Sequence, residues 1–110
     1  MRQLRVNLND VADWLRSLPQ ETQFDMNSTG ACLFACYLQA IHPQSNIEVG
    51  YNHVQFNGRT CALSKAVQHI ILQLWVCELE ATQMIGRDEA LNAVEEVLHK
   101  VARHGQAVVN

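Results

Sequence analysis

The distribution of apolar residues predicts two helices in the first part of the chain. Apolar residues at helical spacing run from Asn7 to Leu18, with Asn7 as the cap, and Pro19 ends this first helix. The stretch from Ala31 to Ile41 is almost entirely apolar, which is typical of a buried helix. Because Thr29 and Gly30 directly precede it, we expect this second helix to begin at these two residues.

Two more helices are predicted in the second part of the chain. Apolar residues return to helical spacing from Ala62 to about Glu80, and again from Asp88 to Gly105. Between the second and third helices, apolar residues alternate over positions 47–56, and Asn57 and Gly58 follow as a turn signal. The sequence therefore predicts a single, mainly α domain over residues 1–110: a small bundle of about four helices, with a short β-hairpin between the second and third as an option.

Composition and charge narrow the class of protein. The chain has 110 residues, of which 48% are hydrophobic, and its formal net charge is −3. This charge makes nucleic acid an unlikely partner. The longest apolar run, Ile70 to Cys77, is interrupted by Gln73 and is too short to span a membrane, and the N-terminus lacks an apolar signal core. We therefore expect a soluble cytoplasmic protein with reduced cysteines and no membrane contact.

One interpretation of the chemistry is a minimal cysteine hydrolase. Cys32 is predicted in the first turn of the second helix, where backbone amides stabilise a thiolate. The segment Gly30–Phe34 resembles the nucleophile segment of papain-like and ovarian-tumour-type cysteine peptidases. In this alternative Cys32 is the nucleophile, His53 is the base, and Asn57 or Asn52 orients the imidazole.

A second interpretation is a metal site. Cys32 and Cys36 lie four residues apart on one predicted helical face, where both thiols could bind zinc. Further ligands would come from Cys61, Cys77 or His69. Each cysteine has apolar neighbours in the sequence, however, which favours burial in a core. We therefore predict no metal and no cofactor. In the alternative, Cys32 and Cys36 are metal ligands.

A third interpretation is a protein that binds another protein. The segment from Ser45 to Arg59 is too polar for a core and too aromatic for an ordinary loop, and tyrosine and arginine are frequent interface anchors. The predicted binding residues are Tyr51, Asn52, His53, Gln55, Phe56 and Arg59. A homodimer through the last two helices is an additional expectation, if Trp75 or Val97 lies outside the buried stripe.

The sequence also resembles a family of small, largely uncharacterised proteins of phages and bacteria. The resemblance covers the first 40 or so residues and the last 25, and it does not extend to the middle. The family has Cys-Gly-Thr at its first cysteine, whereas Leu33 and Phe34 follow Cys32 here. The matching residues are Ala12–Pro19, Phe24–Met26, Cys32, Cys36, Asp88–Ala90 and Gly105.

The resemblance implies a phage or bacterial origin and carries no established activity. Small phage proteins without an enzymatic signature often bind host proteins, including those of defence systems. The function predicted from the sequence is therefore a non-enzymatic phage or bacterial interaction protein that binds a host or partner protein, with inhibition of host defence as one form. The cysteine hydrolase with Cys32 and His53 is the alternative.

Overall fold

The computed structural model describes residues 3–26, 28–74 and 84–103, and side chains as far as residue 100. Four helices and five strands lie within these residues. The fold is therefore mixed α/β, and the prediction of a mainly α helical bundle is wrong. The elements in chain order are α1 (Leu8–Ser17), β1 (Gln23–Asp25), α2 (Leu33–Ile41), β2 (Ile47–Val49), β3 (His53–Phe56), β4 (Arg59–Ala62), α3 (Lys65–Leu74), β5 (Met84–Gly86) and α4 (Arg87–Arg103).

Three consecutive strands form an antiparallel sheet in the order β2-β3-β4. Asn57 and Gly58 join β3 to β4 with φ angles of 51° and 83°. These positive angles define the two-residue turn that Asn-Gly sequences favour, because its twist matches the twist of the strands. Ala62, where the sequence predicted the start of a helix, ends β4 instead. The tight turn is the reason, since it returns the chain directly alongside β3.

Two short strands from distant parts of the chain form a second sheet, in which β1 pairs antiparallel with β5. Phe24 lies opposite Ile85, and both side chains are buried. The pairing continues beyond the strands, because the Arg87 amide donates to the Thr22 carbonyl at 2.9 Å. The guanidinium of Arg87 also donates to the Leu18 carbonyl at 3.0 Å. Residues 84–86, which lie between the third and fourth predicted helices, therefore form a strand.

The first and last helices pack against each other. The predicted start and end of α1 are confirmed: the Asn7 side chain accepts a hydrogen bond from the amide of Asn9 at 2.9 Å, and the helix ends before Pro19. Arg16 of α1 forms an ion pair with Glu95 of α4 at 2.9 Å. Because α4 follows β5 directly and contacts it, this packing also brings α1 close to the β1–β5 sheet.

The core lies between the helices and the inner faces of both sheets. Phe34, Leu15, Val54, Ile70 and Val94 are among its fully buried side chains. Val97, named above for a dimer surface, is also buried, and Trp75 lies outside the described residues. No helix among residues 3–26, 28–74 and 84–103 is long and apolar enough to cross a membrane.

Candidate binding site beside Cys32 and the three-stranded sheet

The segment from Thr29 to Ala31 connects the two sheets. The Thr29 carbonyl accepts a hydrogen bond from the Val49 amide of β2 at 2.8 Å, and the Ala31 carbonyl accepts one from the Asp25 amide of β1 at 3.1 Å. Because these carbonyls accept hydrogen bonds from strand amides and not from a following helical turn, the helix does not begin at Thr29 and Gly30 as predicted. It begins at Leu33, and this places Cys32 at the junction of both sheets.

Cys32 is the N-cap residue of α2, and its carbonyl accepts the first helical hydrogen bond from Cys36 at 2.9 Å. Its side chain is only 4% exposed. Burial raises the pKa of the Cys32 thiol above its ordinary value of 9.0, although the amides of Phe34 and Ala35 favour the thiolate. The thiol is therefore held in its protonated form at neutral pH, which is the opposite of what an activated nucleophile requires.

His53, the predicted base, lies at the start of β3. Its Nδ1 is 3.1 Å from the Oδ1 of Asn52, and its ring lies against Gly50, where an added Cβ would be only 2.7 Å from Cε1. Within the described part of the chain, no imidazole is hydrogen-bonded to Cys32. Asn57 lies in the hairpin turn, where its Oδ1 accepts from the Asn46 amide at 2.8 Å. Of the predicted hydrolase residues, the structure brings only His53 and Asn52 together.

The cysteines form no recognisable metal centre among the residues described. In those ranges, no three side chains of His, Cys, Asp or Glu come together as ligands. Cys36 Sγ lies 3.5 Å from the carbonyl of Ala31, and burial raises the pKa of its thiol, with Cys32 adding to the effect. Cys77, one of the suggested further ligands, lies outside the described residues.

The β2–β3–β4 sheet has one face against the core and one open face. Cross-strand partners lie on the same face of a sheet, and successive residues lie on opposite faces. The register places Glu48, Gln55 and Thr60 opposite one another, and all three are exposed. His53 and Ala62 form the next row of this open face. Val49 and Val54 lie on the other face and are buried, and β2 packs against α2.

A groove of about 400 Å³ runs along the open face. No residue that lines this polar groove is Asp, Glu, Lys or Arg. Its hydrogen-bonding groups are amides, a hydroxyl and an imidazole, which cost less free energy to dehydrate than charged groups. The lining residues are Asn52, His53, Gln55, Thr60, Ala62 and Gln68.

The six predicted binding residues do not form one surface. Asn52, His53 and Gln55 line the polar groove. Phe56 and its cross-strand partner Arg59 lie on the other face. There the Phe56 ring contacts that of His42 edge-on with a centroid distance of 5.0 Å. Tyr51 borders a separate cavity that also contacts Cys32.

Sequence reasoning missed two residues of the polar groove. Thr60 could have been found by counting back from the turn, because a two-residue turn after Phe56 places Thr60 opposite Gln55. Gln68 gave no such signal, since it lies on α3 and reaches the groove only through the packing of that helix beside the sheet. Its Nε2 donates to the Leu63 carbonyl at 2.9 Å, which holds the side chain in place.

In comparisons with protein-family models, curated proteins and solved structures, the chain gives no match. The resemblance to a phage and bacterial family therefore stays a prediction. The open face and the cavity beside Cys32 are the features on which a functional proposal can be built.

Proposed function

We propose that this chain is a non-enzymatic binding protein, and that its partner is another protein that contacts the open face of the β2–β3–β4 sheet. The observation that carries the proposal is the polar groove, in which hydrogen-bonding side chains without formal charge converge from two strands, a loop and α3. Interface centres are depleted in charged residues in the same way.

The groove supplies both fixed and available hydrogen-bonding groups. Within the described residues, the amide of Gln55 and the hydroxyl of Thr60 have no protein partner, so both are available to the peptide groups of another chain. His53 and Gln68 are held by their contacts with Asn52 and Leu63. Side chains that are already ordered lose less conformational entropy on binding, and this favours affinity.

The surroundings of Cys32 support a binding function over hydrolysis. A cysteine nucleophile needs an accessible sulfur and a base within hydrogen-bond reach. Cys32 is buried, and burial raises its pKa. Because burial keeps the thiol protonated, an alkylating activity probe is expected to modify Cys32 only slowly at neutral pH in the folded protein, although Cys32 borders a cavity. Rapid, selective modification of Cys32 would contradict the non-enzymatic proposal.

The binding surface is tested by placing a charge in the groove. Gln55→Lys adds a cation to the open face, where it faces Glu48 without like-charge repulsion. The matched control is Gln20→Lys, which makes the same change at an exposed position in the loop after α1. Immobilised wild type and both variants are incubated with lysate of the bacterial cell in which the chain acts, which is the host cell if a phage encodes it, and retained proteins are identified by mass spectrometry.

We expect a protein retained by the wild type and by Gln20→Lys to be lost with Gln55→Lys. Retention of the same proteins by all three would show that the open face is not the binding surface. The narrower proposal, a phage or bacterial protein that acts on a host defence protein, rests on the sequence resemblance. The identity of the retained protein tests it directly.

A further inference from the structure

We propose that the cavity beside Cys32 is a binding site for a small neutral molecule built on a six-membered apolar ring, such as benzene. This Cys32 cavity has a volume of about 150 Å³. It adjoins the polar groove where Gly50 meets the His53 ring, but the two spaces share no lining residue, so the inference does not depend on protein binding at the open face. The residues that define it here are Met26, Thr29, Cys32, Val49, Tyr51 and Ile71.

The inner wall of the cavity belongs to the core. Cys32 and Val49 are each 4% exposed, and Met26 and Ile71 are each 8% exposed, yet all four border the same empty space. Thr29 and Tyr51 on its outer side are exposed, so the space opens to solvent. The buried side chains of the inner wall nevertheless lack van der Waals partners on the side that faces the cavity. An apolar ligand of the right size would restore those contacts.

Water is a poor occupant for the inner part of this space. A water held against the inner wall would find few of the two to four polar partners that it needs, and an apolar space of roughly 150 Å³ is large enough for benzene. The inner side chains are those of methionine, valine and isoleucine, together with a thiol that is a weak hydrogen-bonding group. The hydroxyls of Ser28 and Thr29 border the cavity too, and they lie closer to solvent.

The surroundings also favour a neutral ligand over a charged one. A charged group would lose its hydration against apolar walls. Asp25 is close enough for its charge to oppose the thiolate of Cys32, so it also opposes an anionic ligand next to that residue. Tyr51 is 45% exposed at the border of the cavity, and it provides an aromatic surface where the ring would enter.

The test is a titration of the methyl-labelled full-length protein with benzene, followed by NMR. We expect the methyl resonances of Val49 and Ile71 to shift in a saturable manner, while those of Val94, which does not border the cavity, stay unchanged. Benzoate at the same concentrations should leave Val49 and Ile71 unshifted. Thr29→Phe places a phenyl group at the cavity and should abolish the response to benzene, whereas Thr60→Phe on the open face should preserve it.

The wild-type titration decides the proposal without either variant. Unshifted Val49 and Ile71 methyls in saturating benzene would overturn it, because the ring then does not enter. Equal shifts with benzoate would overturn the neutral ligand class. If folded Thr29→Phe protein still responds to benzene as the wild type does, the ring binds elsewhere and the assignment to this cavity is wrong.

Discussion

The two sheets of this protein differ in the sequence separation of their strands and in the side chains that they expose. The β1–β5 sheet joins distant parts of the chain around a buried pair, Phe24 and Ile85. The β2–β3–β4 sheet is formed by one continuous segment, and its open face carries exposed polar residues. Both sheets bury side chains in the core, but the β2–β3–β4 sheet also presents polar side chains that line a groove. Substitutions in the two sheets should have different consequences.

The largest effect is expected in the β1–β5 sheet. Phe24 is 2% exposed, and its ring lies 5.9 Å from that of Trp14, centroid to centroid. Phe24→Ala should lower the free energy of unfolding by about 3–5 kcal/mol, because it leaves a cavity in the core. Denaturant unfolding measures this change. Phe56→Ala, which truncates a half-buried ring in the other sheet, is the control and should cost less; an equal cost would contradict the comparison.

A smaller effect is expected at the turn of the β2–β3–β4 sheet. Gly58 has a φ of 83°, a conformation that side chains with a Cβ rarely adopt. Gly58→Ala should therefore lower the free energy of unfolding by about 1–2 kcal/mol. Gly30→Ala is the matched control, since an added Cβ there meets no atom within 4 Å. If the two variants unfold at the same denaturant concentration, the turn does not depend on glycine at position 58.

The thiols of Cys32 and Cys36, in the region between the sheets, should make the free energy of unfolding fall at alkaline pH. Burial raises the pKa of the Cys32 and Cys36 thiols above 9.0, so the folded protein keeps protons that the unfolded chain has released. Their contribution to stability is full below pH 9.0 and is lost as pH rises through the folded-state pKa values. Urea unfolding from neutral to alkaline pH, with a reductant present, measures this dependence.

Cys32→Ala removes one of the two thiols and provides the comparison for the alkaline effect. The comparison concerns the change of stability with pH, since losing a buried side chain also lowers stability at every pH. We expect a shallower alkaline decline in the variant than in the wild type. Identical slopes would mean that the Cys32 thiol does not contribute to the pH dependence.

The parts of the fold that follow from local sequence were predictable. Asn7 and Pro19 define α1, and the Asn57-Gly58 turn defines the β3–β4 connection. The β1–β5 sheet was not predictable in this way, because strands of three residues show too little alternation and their partners are remote in sequence. The start of α2 was also misplaced, since the Thr29 and Ala31 carbonyls bind strands that the sequence does not show to be adjacent.

The candidate site was predictable only where it depends on local sequence. The segment from Ser45 to Arg59 was identified by its composition, and Asn52, His53 and Gln55 do line one groove. Alternate residues of a strand face opposite sides of the sheet, and composition alone does not show this. Phe56 therefore lies on the face opposite the polar groove. The contribution of Gln68 and the position of Tyr51 beside Cys32 depend on tertiary packing.

The pairing of Phe24 with Ile85 also has a consequence for the order in which the chain folds. The turn at Asn57 and Gly58 closes a minimal loop, whereas pairing of β1 with β5 closes a loop through most of the chain, at a larger entropic cost. We therefore expect amides of β3 and β4 to gain protection from hydrogen exchange earlier in refolding than those of Phe24 and Ile85. Pulse-labelling during refolding would reveal the opposite order if it occurs.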